Sequence, residues 1–125
     1  MIECARAADL VIMAHEDKEN DRYDQRHVQT EVIRESGRPV VIVPLKYDGP
    51  EIGKNLLLGW SDTREAARAA HDLLGLADPG ANLTVLRVGK ARQDPLKDGD
   101  AIDVVEMFAR HGLKSTLEYP EQGGF

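Results

Sequence analysis

Four histidines, one cysteine and one serine at a tight Gly-x-Ser junction are the residues through which this 125-residue chain could do chemistry. His15, His27, His71 and His111 include no pair at the i, i+4 spacing of a helical metal site, and no His-Glu-x-x-His run occurs. Gly59-Trp60-Ser61-Asp62-Thr63 approaches the Gly-x-Ser-x-Gly of a nucleophile elbow, but a threonine stands where the sharp turn needs its second glycine. His15 follows the apolar run Leu10–Met13, at the carboxyl end of an expected strand, where open α/β sheets bind ligands. It is therefore the histidine singled out as a candidate. Glu16, Asp17, Asn20, Asp21 and Asp24 form an acidic run without the alternating ligand positions, bend glycine and closing glutamate of a calcium loop. The run reads as a solvated loop entering a helix, and no metal site is expected. Cys4 excludes an intrachain disulfide, has no zinc-ligand cluster around it, and reads as a small buried hydrophobe.

The elements that must position these groups follow from the hydrophobic pattern. Leu10–Met13, Val40–Leu45, Leu56–Trp60 and Leu83–Val88 are near-continuous apolar runs, the mark of parallel strands covered on both faces. Ser115–Tyr119 is more polar and suits an edge strand. Helical patterns cover residues 21–36, 63–76 and 99–111, and Ile2 to Ala8 reads as the end of a further helix. Gly37 and Pro39 end the first of the three, Asp62 and Glu65 have the spacing of a capping box, and Gly112 follows the last. Alternating strands and helices predict a layered α/β fold.

Composition narrows the function classes. The chain carries 16 Lys and Arg against 22 Asp and Glu, a formal charge of −6, with the basic residues dispersed among acids. That distribution argues against a nucleic-acid surface. No apolar run approaches the roughly 20 residues that cross a bilayer, so no membrane partner is expected. The start Met1-Ile2-Glu3-Cys4 lacks the basic opening and long apolar region of a signal peptide, which points to a cytoplasmic setting.

One junction breaks the alternation. Lys46-Tyr-Asp-Gly-Pro-Glu-Ile-Gly53 has no helical pattern and lies between two expected parallel strands. Eight extended residues reach about 26–29 Å. That permits a taut return in place of a crossover helix, but Gly49-Pro50 and Gly53 mark a domain joint more naturally.

The segment from Asn55 to Ala77, NLLLGWSDTREAARAAHDLLGLA, followed by Leu83-TVLR-Val88, resembles the opening strand, helix and second strand of a universal stress protein domain. The upstream pieces ADLVIMAH (from Ala8) and ESGRPVVIVPL (from Glu35) resemble the fourth and fifth strands that close such a domain. The order of the pieces is that of a tandem family member. Residues 1–46 then read as the C-terminal half of one domain, 47–54 as a linker or hinge, and 55–125 as the N-terminal half of the next. The resemblance implies a parallel, doubly wound sheet of about five strands, Rossmann-like and of the adenine nucleotide alpha hydrolase-like type. It also implies homodimers or pseudo-dimers, and here the sheet would be completed within one chain or, as the short seam favours, by a domain swap between two.

Family members that bind ATP carry an acidic residue just after the first strand and a glycine-spaced phosphate loop after the fourth. Here Ser61 stands at the acid's place, with Asp62 one position later, and no glycine occurs from Met1 until Gly37. Ser61, Asp62 and Thr63, with His15, are the cofactor-binding candidates for a nucleotide; helix capping is the competing role for the first three. No cofactor is the leading expectation. The reading is a non-enzymatic stress-response or interaction module acting as a dimer. The alternatives are an ATP- or AMP-binding family member and a small α/β hydrolase using Ser61 or His15.

Overall fold

A computed structural model describes residues 2–14, 25–49, 51–88 and 99–120. The candidate His15, the acidic run 16–24, residues 89–98 and the final residues 121–125 lie outside them. The chain divides into two compact units, 1–49 and 50–125, and the break falls inside the expected linker.

The first unit runs α1 (Ile2–Arg6), β1 (Val11–Ala14), α2 (Gln25–Glu35) and β2 (Val40–Val43), with β1 and β2 paired in parallel from Val11↔Val40 to Ala14↔Val43. Polar clamps do much of the tethering. The Arg6 guanidinium donates to the Glu35 carbonyl at 3.2 and 3.3 Å, serving the unsatisfied C-terminal end of α2. Gln29 Nε2 donates to the Ala14 carbonyl at 2.8 Å, holding the end of β1. Gly37 takes the left-handed conformation (φ 70°) that lets the chain leave α2 and turn into β2. Among the described residues of this unit only Ala5 and Val32 are buried apolar side chains, while Ile12 is 67% and Ile33 49% exposed. A two-stranded sheet with so thin a core is below what stands by itself in water.

The second unit runs β3 (Asn55–Trp60), α3 (Arg64–Leu74), β4 (Asn82–Arg87), α4 (Gly99–Arg110) and β5 (Lys114–Glu118). Its sheet is parallel in the order β3-β4-β5, with Leu58 opposite Val85 and Val85 opposite Leu117. Leu58, Trp60, Leu83 and Val85 share one face and pack with Ala66 and Ala70 of α3 and with Ala101, Val104 and Phe108 of α4. Gly112 (φ 84°) closes α4, with the Leu113 N–H reaching back to the Phe108 carbonyl at 3.1 Å.

The parallel α/β reading holds, with corrections. Among the described residues the five strands form two parallel sheets, of two and three strands. Among the described residues of the second unit, α3 and α4 cover one face of the run Leu56–Trp60, and Leu57 on the other is 65% exposed. Cys4 is exposed rather than buried, because it sits on a five-residue helix whose one buried residue is Ala5.

Gly53, expected as part of a joint, is instead built into the second unit. The Asp78 N–H donates to its carbonyl at 2.9 Å, and a Cβ at its φ of 95° would stand 2.3 Å from the Leu76 carbonyl oxygen. Gly80 shares the positive φ (74°) but has open space around it. Gly53→Ala therefore combines backbone strain with a main-chain clash and is expected to cost about 2–4 kcal/mol, against about 1–2 kcal/mol for Gly80→Ala. Urea unfolding followed by fluorescence of Trp60, the chain's one tryptophan, measures both. Equal losses would show that the Gly53 contact is not a constraint.

Candidate functional site

Parallel α/β units place their chemistry at the carboxyl ends of the strands. In the second unit these ends are Trp60 and Arg87, register partners on adjacent strands. Both side chains fall on the helix-covered face by the alternation that buries Leu58 and Val85. Arg87 is thereby carried into the interior, its side chain 2% exposed. An isolated buried guanidinium would be costly. Asp100, in the first turn of α4, supplies the counter-charge.

The Asp100 carboxylate is the centre of the site. Its Oδ2 accepts from the Trp60 indole Nε1 at 2.9 Å and forms a short contact with Arg87 Nη1. One carboxylate oxygen thus joins the ends of two strands to the start of a helix. Its position in the first turn also favours negative charge, since backbone N–H groups point toward it. Burial works to raise the Asp100 carboxyl, but the Trp60 hydrogen bond and the Arg87 bond and charge outweigh it and hold the group below the usual carboxylate range.

The Ser61-Asp62-Thr63 candidates sit together at the turn from β3 into α3, and their arrangement is a cap. Thr63 is the N-cap residue, extended at φ −137° and ψ 157°, and its Oγ1 accepts from the Ala66 N–H at 3.2 Å. This corrects the expected cap at Asp62 by one residue. Ser61 Oγ lies 3.1 Å from Thr63 Oγ1, and the Thr63 N–H donates to the Ser61 carbonyl at 2.8 Å. Asp62 is exposed and lies outside the cap. Glu65, just inside the helix, has its carboxyl lowered by its own backbone N–H and by Arg64, whose Nε stands 3.1 Å away.

The remaining candidates do not join this group. His71 is exposed in the last turn of α3. His111 is exposed just beyond α4, where its Nδ1 lies 2.9 Å from the Met107 carbonyl and serves the helix end. Among the described residues no three His, Cys, Asp or Glu side chains cluster as metal ligands, and no helix is long and apolar enough to cross a membrane.

The sequence pattern gives Trp60, Arg87 and Asp100 no joint role. The signal was there in parity: Leu83, Val85 and Arg87 alternate on one face, so a strand with a buried aliphatic side ends in a buried cation. Its partner lies thirteen residues away in sequence, a separation that strand and helix periodicity does not bridge. Comparison with models of protein families, with curated proteins and with solved structures finds no match to this chain.

A depressed folded-state carboxyl stabilises the fold above its unfolded value and loses that contribution as pH falls through the folded value. Unit-two stability is therefore expected to be full at neutral pH and to fall on acidification below about pH 4, the ordinary aspartate range. Asp100→Asn should flatten this acid limb and cost about 2–4 kcal/mol at pH 7, because Arg87 is left buried without its counter-charge. Arg87→Met should cost less, since the apolar stem is replaced in kind and the Asp100 side chain, 29% exposed, keeps Trp60 and reaches water. The reverse order in urea titrations at pH 7 would contradict this assignment.

Proposed function

We propose that the chain is a non-enzymatic interaction module of the universal stress protein type, acting as a homodimer. What supports the reading is the distribution of polar and apolar groups. At the strand ends, Arg87 and Trp60 are both bonded to Asp100, the Thr63 hydroxyl caps α3, and the Ser61 hydroxyl is bonded to that of Thr63. Large apolar groups meanwhile face outward, with Ile12 at 67% and Leu57 at 65% exposure. Groups arranged for turnover are held toward a substrate; here the polar groups are held toward each other.

The alternative is a nucleotide-binding member of the same type. The observation favouring it is the start of α3 at the carboxyl end of β3, where Ser61 and Thr63 stand beside backbone N–H groups of a helix N-terminus. As a hydrolase the site is weaker still, because the described partner of the Ser61 hydroxyl is another hydroxyl and not a base.

Equilibrium dialysis of the full chain against labelled ATP separates the readings. No binding tighter than about 100 μM, roughly 5.5 kcal/mol, is expected; tighter binding lost on Asp62→Ala would favour the nucleotide site. Light scattering should return twice the chain mass of 13.8 kDa at micromolar concentration, and a monomeric mass would remove the dimer from the proposal.

A further inference from the structure

No further inference is drawn: the strongest candidate, the bare face of the second unit's sheet where Leu57 is 65% and Val88 50% exposed, carries nothing because nothing in the structure shows what covers it.

Discussion

The right-handedness of β-α-β crossovers is the constraint on which the second unit depends. Three strands laid down in sequence order force both connecting helices to one side. That single fact concentrates Phe108, Val104, Ala66 and Ala70 on the Leu58–Val85 face and makes a dry core. Leu57 and Val88, on the other face, remain half or more exposed. Among its described residues the first unit buries only Ala5 and Val32 as apolar side chains.

The Asp100 carboxylate solves a local problem that the same topology creates. A strand buried along one side must end somewhere, and β4 ends on the buried side with an arginine. A carboxylate in the first turn of the following helix neutralises that charge and ties the crossover to β3 through Trp60. A buried pair of this kind is weak as a source of net stability but costly to break from one side.

Much of the element order was legible because each run had a clear period. Val40–Leu45 and Leu83–Val88 are β-branched and leucine-rich strands, and Ala66, Ala69, Ala70 and Leu73 repeat at helical spacing. Gly37 and Gly112 marked helix ends that prove left-handed. The cap was misplaced by one residue because Asp62 and Thr63 are both good capping side chains, and only the extended backbone at Thr63 decides between them. The bare face was illegible for a different reason. Leu-Leu-Leu reads as a strand covered twice, and whether the second cover belongs to the unit is a property of assembly, not of period. The same holds for the candidate site, where the Arg87–Asp100 pair joins residues thirteen apart in sequence and Ser61-Asp62-Thr63 proves to be a helix start.

The homodimer in the proposed function is tested most directly by sedimentation equilibrium of the full chain across the micromolar range. The reading predicts a mass of twice 13.8 kDa, and a mass of 13.8 kDa throughout would contradict it.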